Sequence, residues 1–258
     1  MNPIAEAFHQ AENNFFSMMS INKAIYDNMT AFATGVPVSN LNPAIVNRVN
    51  DKFQTNLNAC KSLYADHKLS WALMIPEYLL DKSLENLLQN NDFNLNDEGV
   101  AMVLALEAIQ SYTLNTKLHI KSMENDLETW SIPLLHGFES VPAITDVYTN
   151  QHRIASKKFP NLHHFSGFID DTVVCSLTLS TLKQQARLDD IATMPNYQKQ
   201  GFATTLIYAV LEKAIQLNIR KCYLEASSSG LGVYKKIGFK PIFKNYYYEI
   251  SNLSIIPS

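Results

Sequence analysis

The stretch Ile191–Thr205, Ile-Ala-Thr-Met-Pro-Asn-Tyr-Gln-Lys-Gln-Gly-Phe-Ala-Thr-Thr, limits what this chain can fold into more than any other. It reads as an apolar strand end, a polar turn and the first turn of a long amphipathic helix. Gly201 and Ala203 keep bulk away from the helix start, so a ligand can approach the backbone closely. The free N–H groups of a first helical turn, together with the helix dipole, favour a bound anion there. Gly-x-Ala alone is common in loops, so the flanking sequence carries the weight. Arg187-Leu188-Asp189-Asp190-Ile191-Ala192-Thr193 reads as a strand leading in. Leu206, Ile207, Val210, Leu211, Ala214 and Ile215 form an apolar stripe at helical spacing leading out. Lys221–Ala226 is the next strand, followed by a Ser-rich turn and Tyr234-Lys235-Lys236-Ile237-Gly238-Phe239.

Gln198-Lys199-Gln200-Gly201-Phe202-Ala203 after a strand, then a second strand, then Tyr234-Lys235-Lys236-Ile237-Gly238-Phe239, resembles the GNAT superfamily of acyl-CoA N-acyltransferases. That family carries Arg or Gln-x-x-Gly-x-Gly or Ala, followed downstream by Tyr-x-x-x-Gly-Phe. The clear resemblance covers Leu177–Ile250, and a fainter one reaches back to about Thr116. It implies an α/β (α+β) fold: a mixed, mostly antiparallel sheet, splayed at its centre and flanked by helices. Gln198 stands where Arg is commoner. The turn Ser227-Ser228-Ser229-Gly230 lacks the Asn often found there, which removes a usual partner of the pantetheine arm. Gly232 weakens the short helix around it, since Gly costs about 1 kcal/mol against Ala in a helix interior.

Composition narrows the partners. With 47% apolar residues in 258, each half can bury a core. The net charge is −3 and no Lys/Arg run occurs, which argues against nucleic acid as the main partner. Cys60, Cys175 and Cys222 have no ligand spacing and read as buried free thiols of a reducing compartment, with no metal. The start Met1-Asn2-Pro3-Ile4-Ala5-Glu6 lacks a signal-peptide pattern, and the longest apolar run, Val100–Leu106, is too short to span a bilayer. The expectation is a cytoplasmic monomer or homodimer away from membranes.

Residues 1–33 read as helical, with Phe8, Ala11, Phe15, Met18 and Met19 on one face, and Thr34-Gly35-Val36-Pro37 as a turn. Asn40–Val49 is a short strand or irregular, Asp51–Ala65 a helix, and Ser70–Ile75 a strand stopped by Pro76. Glu77–Gln89 is a Leu-rich helix, and Val100–Ile109 a strand, with helix the alternative. This alternation makes an N-terminal α/β unit. Its rhythm looks like the first half of tandem GNAT proteins, here without a Gln-x-x-Gly-x-Ala, which implies a degenerate GNAT half with a structural or substrate-shaping role. The linker Ser111–Asn115 sets the boundary between domains 1–115 and 116–258. Thr116–Met123 is a strand, Asn125 or Asp126 caps a helix bearing Trp130 and Leu134, and Ile144–Arg153 is a helix or loop. His163–Ile169 and Thr172–Leu179 form a hairpin around Asp170-Asp171, and Tyr246-Tyr247-Tyr248 a final strand with Tyr246 and Tyr248 on one face.

The resemblance then assigns chemistry residue by residue. Gln198, Lys199, Gln200, Gly201, Phe202, Ala203 and Thr204 would bind acetyl-CoA, the backbone N–H groups from about Lys199 to Thr204 holding its diphosphate. Ile191, Ala192 and Thr193 would pair with its pantetheine arm, and an N–H near Thr193 would polarise the thioester carbonyl. Tyr234 takes the general-acid position, although a Tyr packing a short helix on a sheet is common. Asp189 is the preferred proton acceptor through water, with Asp190 in reserve, since only one of two successive strand residues faces a cleft. A solvated or cation-binding carboxylate is an equal reading of Asp189. The implied activity is transfer of an acetyl group to a primary amine of a small molecule, amino acid or peptide, by direct attack in a ternary complex. The alternative is a non-catalytic acyl-CoA-binding or scaffold protein.

Overall fold

The computed structural model describes residues 2–109 and 112–250. Met1, Ser111 at the start of the expected linker, and residues 251–258 of the expected C-terminal domain lie outside the described residues. In chain order the elements are α1 (Pro3–Met19), β1 (Asn22–Ile25), β2 (Met29–Ala33), β3 (Pro43–Val46), α2 (Phe53–Asp66), β4 (Ala72–Pro76), α3 (Lys82–Asn90) and β5 (Phe93–Ala105). There follow β6 (His119–Ser122), α4 (Leu127–Gly137), α5 (Pro142–Lys158), β7 (Leu162–Ile169), β8 (Thr172–Leu182) and β9 (Gln185–Thr193). The chain ends with α6 (Phe202–Gln216), β10 (Lys221–Ala226), α7 (Leu231–Ile237) and β11 (Lys240–Ile250).

Contacts group these into two compact units, one of Met1–Met18 with Ala101–Ile242, the other of Met19–Val100 with Phe243–Ser258. The sequence reading draws a single boundary at 115/116, whereas the contacts divide the chain at 18/19, 100/101 and 242/243. Local packing explains both extra divisions. The apolar face of α1 serves the first unit, where Phe8 meets the ring of Tyr223 edge-on at 6.1 Å. The end of β11 serves the second, pairing Asn245–Tyr248 antiparallel with β4.

In the second unit the strands run β1-β2-β3-β4-β11. Its core gathers Phe53, Leu57, Cys60 and Tyr64 of α2 with Trp71, Phe93 and Tyr248. Tyr64 stacks on Trp71 at 4.7 Å and donates its hydroxyl proton to the carbonyl of Pro43 at 2.9 Å. Residues 1–33 are not one helix. α1 stops at Met19, and a hairpin follows with Asn22 opposite Ala33 and Tyr26 N bonded to Met29 O at 2.9 Å. The turn residue Asn28 is buried and donates to Asn50 at 2.9 Å. Its Oδ1 accepts from Asn56 at 2.9 Å. This turn chemistry overrides the helical spacing upstream. The segment 77–89 is likewise split: a 3-10 turn covers Glu77–Leu79, and α3 restarts behind Asp81, whose carboxylate caps it by accepting from Leu84 N at 2.8 Å.

In the first unit the order is β10-β9-β8-β7-β6. β9 is antiparallel to β8 and parallel to β10, as a strand–helix–strand crossover through α6 requires. Asp126 caps α4 by accepting from Thr129 N at 3.1 Å. Trp130 is fully buried and donates from Nε1 to the carbonyl of Leu177 at 3.2 Å, which anchors α4 on β8. The segment 144–153, left as helix or loop by its sequence, lies within α5. The hairpin β7/β8 turns at Asp170, held at φ +51°, a conformation Asp tolerates.

Candidate active site

Two features of β9 shape the site. The ladder to β10 pairs Lys221 with Gln185, Cys222 with Ala186 and Tyr223 with Arg187, and among the described residues it goes no farther. β9 continues to Thr193 and β10 to Ala226, so the two parallel strands part beyond that point. On its other edge β9 carries a bulge: Thr178 faces Asp189 and Ser176 faces Ala192, so β9 holds one residue more than β8 across that interval. Asp190 sits in this interval at φ +56°. A bulge bends its strand and sharpens its twist, which turns β9 away from a straight neighbour.

A cavity of about 580 Å³ opens at the parted ends. It is lined by Ile191, Ala192 and Thr193 of β9, by Gln198, Lys199, Gly201, Phe202, Ala203 and Thr204 at the start of α6, and by Tyr234 of α7. Gln200, Asp189 and Asp190 do not line it. The side-chain amide of Gln200 instead donates to Asn196 O at 3.1 Å.

The start of α6 has the geometry of an anion cradle. Its first helical bond runs from Thr205 N to Gly201 O at 2.9 Å, so the amides of Phe202, Ala203 and Thr204 lie ahead of the ladder. Gly201 is at φ +82°, and a Cβ there would meet only the Tyr112 hydroxyl at 3.4 Å. Glycine is therefore needed for its backbone angle, and the space beside it is open. Lys199, at φ +60°, also turns the loop. Gln198 Nε2 donates to Thr193 O at 3.3 Å and ties this loop to the end of β9.

Two further glycines shape the walls: sequence reasoning passed over Gly137 and noted Gly230 only as the end of the serine turn. A Cβ on Gly137, the last residue of α4, would lie 3.1 Å from Thr193 O and 3.2 Å from Ala192 Cβ. A Cβ on Gly230 would lie 2.7 Å from Cε2 of Tyr234. Each glycine lets an element settle directly on a residue of the cavity wall. A glycine ending a helix and a glycine closing a serine turn were the available signals. Tyr234 is nearly buried, and burial and then the charge of Asp189 push its phenol up to about 12. It stays protonated at neutral pH, which suits a donor.

The two aspartates lie beside the cavity in separate polar networks. Asp189 receives the guanidinium of Arg187, with Nε at 2.9 Å from Oδ1 and 3.2 Å from Oδ2. Arg187 Nη1 also stands 3.6 Å from Glu12 of α1. Burial pushes Asp189 up to about 6, against the pull of Arg187. Asp190 accepts from Tyr148 Oη at 2.6 Å and from Thr178 Oγ1 at 2.7 Å, and His152 Nε2 stands 3.5 Å away. His152 Nδ1 meets His164 Nε2 at 2.8 Å. Burial holds His152 down at about 3 and His164 down at about 2, so both rings are neutral.

All three cysteines are buried thiols and none lines the cavity. Burial pushes Cys60 and Cys175 up to about 12 and Cys222 higher still, which leaves them poor nucleophiles. Among the described residues no cluster of His, Cys, Asp and Glu could hold a metal ion. No helix among them is long and apolar enough to cross a membrane.

A mixed sheet whose central parallel strands part over a glycine-started helix defines a class of fold, that of the acyl-CoA N-acyltransferases. Residues 127–239 match the model of the acetyltransferase (GNAT) family, so this segment of the chain is a GNAT domain. Solved structures of similar fold span nearly the whole chain. A GCN5-related N-acetyltransferase from Kribbella flavida has a TM-score of 0.72 at 9% identity, over 97% of each chain. A functionally unknown conserved protein from Staphylococcus epidermidis has a TM-score of 0.66 at 14% identity, over 89% of this chain and 94% of its own. A tandem GNAT protein from the clavulanic acid biosynthesis pathway has a TM-score of 0.62 at 11% identity, over 93% and 94%. This coverage agrees with two GNAT-like units. A comparison with curated protein sequences finds no match.

The neutral histidines give stability a pH dependence of known sign. An unfolded His protonates at roughly 6.5, so below that pH the unfolded chain takes up protons that folded His152 and His164 refuse. Stability therefore falls as pH drops. Two carboxylates act oppositely in the acid range: Asp189, raised to about 6 by burial and with a smaller shift than either histidine, and Asp190, also raised by burial. Denaturant unfolding should show a lower midpoint at about pH 5 than at about pH 7.5, and His152→Gln should shrink the difference. Equal midpoints at the two pH values would count against neutral buried rings.

Proposed function

We propose that the chain transfers an acetyl group from acetyl-CoA to a primary amine by direct attack in a ternary complex. Residues 116–258 act as the N-acetyltransferase domain, and 1–115 as a degenerate GNAT-like unit that supports structure or shapes acceptor access. The observation that carries this reading is the cavity at the parted ends of β9 and β10, lined both by the first residues of α6 and by Tyr234. A thioester co-substrate supplies an activated acyl carbon and a diphosphate to be held. The amides of Phe202, Ala203 and Thr204 suit the diphosphate, and Gly201 leaves room for it. Lys199 adds a cation at the same wall. The backbone of Ile191–Thr193 is placed to pair with the pantetheine arm, and an N–H near Thr193 to receive the carbonyl oxygen.

In the reaction the neutral amine nitrogen forms a bond to the acyl carbon and the carbon–sulfur bond breaks. One proton leaves the nitrogen and one joins the sulfur. Tyr234 holds a proton beside the leaving sulfur. Asp189, poised near 6 and buried beside Arg187, receives the amine proton through water. Buried, unreactive thiols favour direct attack over an acyl-cysteine and suit a reducing cytoplasm. The acceptor is a small molecule, an amino acid or a peptide, and the active species a monomer or homodimer. The second reading, acyl-CoA binding without transfer, draws on the absence of both aspartates from the cavity wall.

Calorimetry should show acetyl-CoA binding to the native chain and none to Gly201→Trp, whose ring would fill the space beside the helix start. No binding to the native chain would end the proposal. A thiol-release screen over amines separates transferase from scaffold: binding without release on any amine favours the scaffold. With an active amine in hand, Tyr234→Phe should lower kcat by about 10²-fold or more with little change in acetyl-CoA affinity. An unchanged kcat removes Tyr234 from the acid role. The kcat/KM profile should rise through the raised value of Asp189, about 6, because only the carboxylate accepts a proton. Asp189→Asn should lose that limb and keep any limb belonging to the amine. An intact limb in the variant contradicts the assignment.

A further inference from the structure

We infer that Asp190 is a positioning residue: its carboxylate, gripped from α5 and β8, holds the bulge that turns β9 away from β10. The inference rests on the acyl-CoA reading of the cavity, to which it adds the device that keeps the cavity open. Asp190 stands at φ +56°, a conformation that strains most side chains and that Asp and Asn tolerate. It occupies the interval where β9 gains its extra residue over β8, immediately before Ile191, Ala192 and Thr193 of the cavity wall. Here the carboxylate is fastened on both sides, by Thr178 Oγ1 of β8 at 2.7 Å and by Tyr148 Oη of α5 at 2.6 Å.

The histidine pair behind it adds a weaker, electrostatic contact. If His152 donated from Nδ1 to His164, its Nε2 would turn a lone pair toward the carboxylate at 3.5 Å, a repulsive arrangement. The favourable tautomers are the reverse. His164 Nε2–H donates to His152 Nδ1 at 2.8 Å, and His152 Nε2–H faces Asp190. This leaves His164 Nδ1 as an acceptor with no hydrogen-bond partner, and His152 Nε2, also without one, meets Asp190 through electrostatics alone. Trp130 closes the network from α4, its ring 4.6 Å from His152 and 4.8 Å from His164. The carboxylate thus receives hydrogen bonds from two hydroxyls, while His152 Nε2 faces it at 3.5 Å without a hydrogen bond, in a largely buried setting where charge-assisted bonds are strong.

Three substitutions separate the possible roles. Asp190→Asn keeps tolerance of positive φ and an oxygen to accept. Asp190→Gly keeps the backbone angle and loses the grip. Asp190→Ala loses both. Acetyl-CoA affinity by calorimetry should fall in the order Asn, Gly, Ala, with Ala at least about tenfold weaker than the native chain. Turnover should follow the same order, and glycine should partly rescue what alanine loses. Equal loss of kcat in all three with unchanged affinity would make Asp190 a proton acceptor and overturn the inference. A lowered melting temperature with native affinity and kcat in all three would make it a structural residue and also overturn it. A native chain that binds no acetyl-CoA would sink the acyl-CoA reading alone. Amide hydrogen exchange of the cofactor-free protein then decides: protection across Leu188–Thr193 should change in Asp190→Ala and stay close to native in Asp190→Asn. Identical exchange in all variants would overturn the bulge clamp.

Discussion

Two parallel strands that pair and then separate leave backbone donors and acceptors without the partners a sheet normally supplies. Such groups are costly when buried, so a fold keeps them only where something else holds the strands apart or where a ligand completes the ladder. In this chain the separation begins after Tyr223 and Arg187, and the rest of the site is arranged around it. The bulge at Asp190 turns β9, the glycine at the end of α4 lets that helix rest on Ala192 and Thr193, and α6 starts at the opened corner. Remove the parting and the amides of α6 would face a closed wall.

Charge is concentrated just behind that corner. Arg187, Asp189 and Glu12 are nearly or fully buried together, and Asp190 lies in the neighbouring polar network. Buried ions are expensive to desolvate and add little net stability even when well paired, so their value here is directional. The guanidinium gives Asp189 a fixed orientation, while burial raises its proton affinity into the range of physiological chemistry. Burial, and then the charge of Asp189, raises the phenol of Tyr234 as well.

Much of this was legible in the residues. The strand–turn–helix around Gly201 and the Tyr234 turn follow from local rules about small residues, helix starts and apolar spacing, and those rules act over short distances. The cap of α4, narrowed to Asn125 or Asp126, and its inward-facing Trp130 were readable for the same reason. What escaped depends on contacts far apart in sequence. In Met19–Ala33 the turn signal Asp27-Asn28 is outweighed by the helical spacing upstream, and the turn is fixed by distant partners of Asn28, Asn50 in the loop before α2 and Asn56 within it. The bulge was also hidden. Strict alternation puts Asp189 and Asp190 on opposite faces, and an extra residue in β9 with positive φ breaks that alternation. Tyr148, Thr178 and His152 become partners of one carboxylate only when α5 and β8 are laid on the same strand. Gly137 and Gly230 are ordinary in sequence and acquire meaning from the atoms a side chain would strike.

The central claim is that the amides at the start of α6 and along the end of β9 hold an acyl-CoA together. Backbone amide resonances followed during an acetyl-CoA titration address it most directly. The account predicts that the amides of Phe202–Thr204 and of Ile191–Thr193 shift together, at one common concentration, ahead of the rest of the chain. Shifts confined to other parts of the chain, or movement of the α6 amides with those of β9 left in place, would contradict it.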